Sequence, residues 1–268
     1  MKKNRISISI VVYNNSKAEL TEFFKLLGKI KKINFKIFII DNGKDFLFKI
    51  PNDINYVYIK GKNVGFAGGH NKIIDKIKSD YHIVCNTDLS FNPNIFNQII
   101  KFMDNNKSCH LMGPKIIDKN YKYFGNQKLL PTLKDIFMRK FFKKKYLKNI
   151  NILEKKFFDL KKPIEVLNLS GCFMVFRTKT FLKLNGFDER YFLYFDDLDI
   201  SRRMLKKKLK LIYNPNILIK HTARSDHRKN LKIMIISLIS CFKYFYKWGF
   251  FSNDLKLYNK RFLKSLNL

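Results

Sequence analysis

The sequence predicts an α/β fold built on a mostly parallel sheet with helices on its faces, ending in a helical tail. Short apolar, β-branched runs recur through the first hundred residues. Segments of helical length with an apolar stripe separate them, as βαβ units require. Polar residues stand directly after the runs, and open sheets of this kind bind ligands outside the carboxyl ends of their strands.

The elements follow in order. Residues 6–13 (ISISIVVY) read as a buried parallel strand, and Asn14 and Asn15 follow it. Residues 16–29 place Leu20, Phe23, Phe24 and Leu27 on one helical face. Residues 36–40 (KIFII) are a second strand that runs into the turn signal Asp41-Asn42-Gly43. Residues 54–59 are a third strand, followed by Gly61 and Asn63, and residues 69–77 a helix. Residues 81–85 are a fourth strand, ending at Asn86-Thr87-Asp88. The strand-end polar residues outline a cleft before any family is considered.

Composition bounds the rest. The chain has 268 residues and is 46% hydrophobic, enough for one large core or two joined halves and incompatible with a disordered chain. Its formal net charge of +33 favours anionic partners: nucleic acid, phosphorylated substrates or an anionic membrane surface. Cys85, Cys109, Cys172 and Cys241 lie far apart and show no metal-ligand spacing, which suits buried free thiols in a reducing compartment. No signal-peptide pattern opens the chain, and the apolar run 233–239 falls short of the roughly 20 residues a span needs. A cytoplasmic protein, soluble or peripheral at the membrane, is expected.

Two segments allow two readings each. Residues 137–162 mix Lys and Arg with Phe: an amphipathic solvated insertion, or a basic-aromatic loop that meets lipid. Residues 231–251 are apolar with Lys, Tyr and Trp248 among them. They form a helix packed back on the rest, or an interfacial helix; the mixture of aromatics and Lys favours the second.

Three places carry chemistry. Asp88 at the end of a buried strand suits a hard divalent cation held against a diphosphate, although Asn-Thr-Asp is also an ordinary turn. Asp196, Asp197 and Asp199 crowd three acids into four positions. They suit a helix start, and one of them suits a general base. His221 ends an apolar run and so lies at a strand mouth. The glycine-rich stretch Asn63-Val64-Gly65-Phe66-Ala67-Gly68-Gly69-His70-Asn71 is neither GxGxxG nor a P-loop.

Taken together, Asp41 in Ile-Asp-Asn-Gly, the Asn63–Asn71 stretch, Asn86-Thr87-Asp88, Gly186-Phe187-Asp188-Glu189, Asp196-Asp197-Leu198-Asp199 and His221 resemble family 2 glycosyltransferases, inverting enzymes of the GT-A (Rossmann-like) fold, and especially their rhamnosyltransferase-like members. The resemblance covers about residues 6–222. It implies a transferase domain over 1–222, with a nucleotide-binding half over about 1–105, an acceptor half over 106–222 that contains the insertion 137–162, and a tail over 223–268. It implies nucleotide-sugar contacts from Tyr13, Asn14, Asp41, Asn63, Gly65, His70, Asn86 and Asp88, with Asp41 on the uracil or thymine ring. It implies Mg²⁺ or Mn²⁺ at Asp88 and His221, and Asp197, paired with Asp196, as the catalytic base. Two departures stand out: Asn86 replaces the first acid of the family's Asp-x-Asp, and Asp196 replaces a Glu. The implied reaction moves rhamnose or a hexose from a UDP- or dTDP-sugar to a lipid-linked glycan in bacterial lipopolysaccharide or capsule synthesis. The rival class is a basic nucleic-acid-binding protein. The net charge suits it, but the basic residues are spread along the chain and no recognisable nucleic-acid-binding motif is present, so no nucleic-acid partner is expected.

Overall fold

The computed structural model describes residues 5–30, 33–43, 48–123, 129–222 and 230–266. Its centre is a mixed sheet in the order β3-β2-β1-β4-β8-β6-β9-β5, with β7 added against β9. The strands β1 (Ile6–Val12), β2 (Phe35–Asp41), β3 (Tyr56–Lys60) and β4 (Tyr81–Cys85) form the parallel half. In the other half, β8 (Phe173–Arg177) runs antiparallel to β4 and to β6 (Cys109–Ile117). β9 (Lys210–His221) then lies parallel to β6, while β5 (Leu89–Phe91) and β7 (Ile164–Glu165) run antiparallel to β9. The carboxyl ends of β1, β2, β4, β6 and β9 therefore share one edge.

Each face of the sheet carries a core. On one, α1 (Lys17–Gly28) and α3 (Ile95–Asn105) bury Leu20, Phe23, Phe24, Ile99 and Met103 against Ile8, Ile10 and Ile83. On the other, α2 (Gly65–Asn71), α6 (Thr178–Lys183) and α7 (Asp196–Lys206) bury Ala67, Phe181, Ile200 and Met204 against Phe38, Val84 and Phe176.

The expected elements appear, with instructive shifts. The helix expected over 69–77 begins earlier and is shorter, α2 followed by a 3-10 turn at Ile74–Lys76. Asn63 Oδ1 takes the Gly65 N–H at 3.0 Å and so fixes the start. Gly65 has φ +78°, and a Cβ there would lie 2.0 Å from the Phe192 carbonyl oxygen, so only glycine fits. The third strand starts at Tyr56, because Ile54 closes a turn onto Pro51 and drops into the core.

The segment 137–162 is not a loop. It lies in two helices, α4 (Leu133–Phe141) and α5 (Lys143–Asp159), because Thr132 and Asp135 form a capping box and Leu153 and Phe157 find the second core. The tail beyond residue 230 forms α8 (Leu231–Trp248) and α9 (Asn253–Ser265). The tail packs back on the rest of the fold, as the first reading expects. Leu255 and Phe262 of α9 join the second core, and Tyr244 and Phe245 of α8 pack with Tyr191, Leu133 and Ile136. The opposite face of α8 stays exposed at Leu231, Met234, Ile235, Leu238, Phe242 and Tyr246. Among the described residues no helix is long and apolar enough to cross a membrane.

Candidate active site

At the exit of β1, Asn14 adopts φ +54°, a conformation Asn tolerates better than most residues, and Tyr13 beside it is exposed. Asp41 ends β2. Its Oδ1 accepts from the Gly43 N–H at 2.8 Å and its Oδ2 from the Tyr58 hydroxyl at 2.6 Å. A methyl group at Gly43 would lie 3.2 Å from Asp41 Oδ1 and 3.3 Å from Asn14 Oδ1, so the two side chains converge there. Burial and the Asp41 carboxylate push the Tyr58 hydroxyl up to about 12. Asn42 Nδ2 donates to the Gly65 carbonyl at 3.0 Å, tying this turn to the glycine-rich loop.

Beside it stands a second cluster. Asp88, after β4, faces His221, the last residue of β9, with Oδ1 to Nε2 at 3.6 Å. Burial raises the Asp88 carboxyl and lowers the His221 ring, while their mutual attraction works against both shifts. Asn86, the residue in place of the missing acid, hydrogen-bonds the Asp88 carboxylate and favours its charged form. Glu19, from the first turn of α1, accepts from Asn15 Nδ2 at 2.7 Å and from the Thr87 hydroxyl, and its charge acts on both Asp88 and His221. Sequence reading passed over Glu19. A lone acid in the first turn of a helix reads as a dipole partner, and only the fold brings it beside Thr87.

The acid segment forms a third cluster. Tyr194 and Phe195 both have positive φ, +68° and +64°. That strained entry begins α7 at Asp196, so three acids share its first turn. Their environments differ. Asp196 is buried, and burial followed by the adjacent Asp197 pushes its carboxyl well above the ordinary range. Asp197 accepts from the Gly171 N–H at 3.2 Å and from the Leu198 N–H at 2.8 Å. Asp199 is fully enclosed and binds Arg203 Nε (2.9 Å), Lys247 Nζ (2.6 Å) and Trp248 Nε1 (2.8 Å). Asp199 is thus a structural anchor for α8.

The clusters meet. A methyl group at Gly171 would touch the Phe66 ring at 3.4 Å and Asp197 Cβ at 3.6 Å, so the glycine-rich loop abuts the acid segment. The Phe66 N–H also donates to the Phe192 carbonyl at 2.8 Å. The buried Cys172 thiol lies between Asp88 and Asp197. Burial first, then the charge of both acids, pushes it up to about 12, so it is no nucleophile.

Of the eleven positions singled out, Tyr13, Asn14, Asp41, Asn86, Asp88, Asp197 and His221 line this edge, and Asn63 and Gly65 shape the loop above it. Asp196 lies beneath Asp197. His70 is placed elsewhere. It is fully buried, with its Nδ1 2.7 Å from Ser9 Oγ and its ring against Phe66, so any effect on a donor passes through the loop.

The chemistry of the Asp88 and His221 pair suits a divalent cation. Asp88 Oδ1 is buried without a hydrogen-bond partner and points at an imidazole nitrogen. Oxygen with one imidazole is a donor set for Mn²⁺ or Mg²⁺. Among the described residues no third His, Cys, Asp or Glu completes the set.

Comparisons with known proteins agree with this layout. The family model "Glycosyl transferase family 2" matches residues 7–184. The chain is 24% identical over 245 residues to the rhamnosyltransferase WbbL of Escherichia coli (strain K12), covering 87% of this chain and 86% of that one. It is 24% identical over 183 residues to the N-acetylglucosaminyl-diphospho-decaprenol L-rhamnosyltransferase of Mycobacterium tuberculosis, covering 63% of this chain and 59% of that one. Among solved structures, GalNAc-T7 with UDP, GalNAc and Mn²⁺ superposes with a TM-score of 0.60 at 14% identity, over 82% of this chain and 43% of that one. At that identity the match shows the shared GT-A fold.

Proposed function

Since the chain belongs to glycosyl transferase family 2, we propose that it transfers rhamnose or a hexose, with inversion, from a UDP- or dTDP-sugar to a lipid-linked glycan. One observation carries the reading: the adjacent residues Gly171 and Cys172 bind both clusters, the Gly171 N–H donating to Asp197 at 3.2 Å and the Cys172 carbonyl accepting from the Asn86 N–H at 2.9 Å, two residues before Asp88. A group that can hold a diphosphate through a metal and a group that can take a proton are therefore tied to one short segment. The nucleoside lies over β1 and β2, with its ring against Asp41 and Asn14.

Asp197 takes the proton of the acceptor hydroxyl. The freed oxygen attacks the anomeric carbon as the bond to the nucleoside diphosphate breaks. A neutral Asp196 removes one like charge from beside the base. Asp88 and His221 would hold the divalent cation, which offsets the charge of the leaving diphosphate. Residues 1–105 serve the donor and 106–222 the acceptor.

A lipid-linked acceptor fits the outer faces of α8 and α4. α8 carries an exposed apolar stripe and α4 the exposed Phe137 and Phe141, while Leu133 and Ile136 of α4 pack against the inner-face cluster of Tyr191, Tyr244 and Phe245. Lys134 of α4 and Lys232 of α8 are exposed, in a chain of net charge +33. An exposed apolar patch rimmed by cations suits the cytoplasmic surface of an anionic membrane, and surface polysaccharide synthesis is the setting that follows. The decisive experiment is a panel of nucleotide sugars scored by hydrolysis and by thermal stabilisation. UDP- or dTDP-sugars should raise the melting temperature and be hydrolysed, whereas indifference to both nucleotides would refute the reading.

A further inference from the structure

A second concave surface lies beside the Asp88 and His221 pair, and no step of the transfer uses it. It is a cavity of about 380 Å³ between β5, the start of α3 and the end of β9. That volume lies at the small end of small-molecule sites. Its floor is apolar: Phe91, Ile95 and Ile117 are all buried there. Its wall carries the neutral polar side chains of Ser90, Asn92, Asn94, Gln98 and Asn216. Among the described residues, those of Ser90, Gln98 and Asn216 have no hydrogen-bond partner. Although the chain carries 54 Lys and Arg, Lys220 is the one charged residue of the lining among the described residues. Its Nζ is already engaged 4.0 Å from the centroid of the Tyr121 ring.

Tyr121 closes the cavity, and the backbone holds it there at a cost. It has φ +60°, a region that disfavours a bulky residue by about 1 kcal/mol or more. The turn is imposed by Asp118, whose Oδ1 accepts from the Asn120 N–H at 2.8 Å and the Lys122 N–H at 2.9 Å. The ring gains little packing in return, being 66% exposed. Glycine or asparagine would serve the turn better.

We infer that this cavity is a carbohydrate subsite that holds a neutral sugar of the acceptor glycan beyond the one that reacts. Amides and hydroxyls both donate and accept, as vicinal sugar hydroxyls require. The apolar floor and the tyrosine ring suit the C–H faces of a pyranose. A phosphate would call for more than one cation, and a lipid tail for a wall without five polar groups. The position suits a continuing glycan, because Ser90 pairs with Lys220 one rung from the Leu89 and His221 pair. That rung corresponds to about 3.3 Å along the strand. The inference rests on the transferase reading and adds a second point of acceptor contact.

The test is saturation-transfer NMR of the full chain with neutral disaccharides (chitobiose, maltose and a rhamnosyl-N-acetylglucosamine), with the glucose phosphates as charged controls. At least one neutral disaccharide should show transfer. Tyr121→Gly and the double variant Gln98→Ala, Asn216→Ala should each reduce it fivefold or more, while stabilisation by UDP or dTDP stays unchanged. Tyr121→Gly relieves the backbone strain, so its melting temperature should not fall. Absence of neutral-sugar binding, signals that both variants leave intact, or preference for the charged controls would overturn the subsite. Failure of the transferase reading shows separately, as loss of nucleotide stabilisation in the unsubstituted protein.

Discussion

His221 Nε2 faces Asp88 Oδ1 at 3.6 Å, across strands that pair antiparallel at Leu89 and His221. Residues 133 positions apart thus form one donor pair, with a buried carboxylate oxygen that no protein hydrogen bond satisfies. Such an oxygen is costly unless a cation meets it. Excess EDTA should abolish sugar transfer, and Mn²⁺ or Mg²⁺ should restore it. Asp88→Asn should weaken Mn²⁺ binding, measured by electron paramagnetic resonance without substrate, by tenfold or more. Full transfer in excess EDTA would give Asp88 another role.

Asp197→Asn keeps shape and one acceptor oxygen, enough for the Leu198 or the Gly171 N–H but not both, and it cannot take a proton. Turnover should fall roughly 10²-fold or more while thermal stabilisation by the nucleotide stays near normal. Near-normal turnover would dismiss Asp197 as the base and turn attention to its buried neighbour Asp196.

Glu19 is the residue the fold adds. Glu19→Gln can still accept from Asn15 and Thr87 but removes the charge that acts on Asp88 and His221. At an effective dielectric near 20, a charge some 7 Å away is worth about 2 kcal/mol, so Mn²⁺ affinity should drop roughly tenfold. Unchanged Mn²⁺ affinity would reduce Glu19 to a loop tie.

How much of this was legible depends on the range of the cause. The strands β1, β2 and β4 were legible because apolar runs buried on both faces allow little else. Asp41 and Asp88 were legible because strand ends follow from the same runs. The helix at 69–77 was misplaced because its start depends on Phe192, whose carbonyl forbids a Cβ at Gly65 more than a hundred residues away. The roles of Asp196, Asp197 and Asp199 could not be separated in sequence, since the three differ only in which tertiary partners reach them. His70 looked like a loop residue, because nothing local reveals that Ser9 and Phe66 enclose it.

That enclosure has a pH consequence. His70 and His82 are buried and joined through Ser9, whose Oγ lies 2.7 Å from His70 Nδ1 and 3.1 Å from His82 Nε2. Burial holds both rings below the ordinary range, His82 at about 3. A depressed folded-state value means that the unfolded chain takes up protons first as pH falls. The stabilisation is therefore complete above the unfolded value of about 6.5 and shrinks from there toward about 3. Each ring can remove up to about 1.4 kcal/mol per pH unit. Urea midpoints should fall steadily from pH 6.5 to pH 4.5, and His82→Gln should flatten the slope. A midpoint independent of pH over that window would contradict the enclosure.

The two faces of α8 separate anchoring from docking. Its inner face is bolted to the acid segment: Lys247 Nζ and Trp248 Nε1 both reach Asp199, and the Arg202 guanidinium stacks 4.5 Å from the Trp248 ring. Deleting the tail would therefore leave a buried carboxylate with Arg203 but without Lys247 and Trp248, and damage the fold, which makes truncation a poor probe of membrane contact. The outer face offers a cleaner one. Ile235, Leu238 and Phe242 are all exposed there, and each is worth about 1.5–3 kcal/mol when fully buried in an apolar phase. Replacing the three by Ser should leave the melting temperature and nucleotide binding unchanged, yet release the protein from anionic vesicles in a flotation assay. The parent chain should bind those vesicles at low salt and partly detach at high salt, because the lysine contribution is screened and the apolar one is not. If the parent ignores anionic vesicles, or the triple variant binds them equally well, the outer face of α8 is not the docking surface.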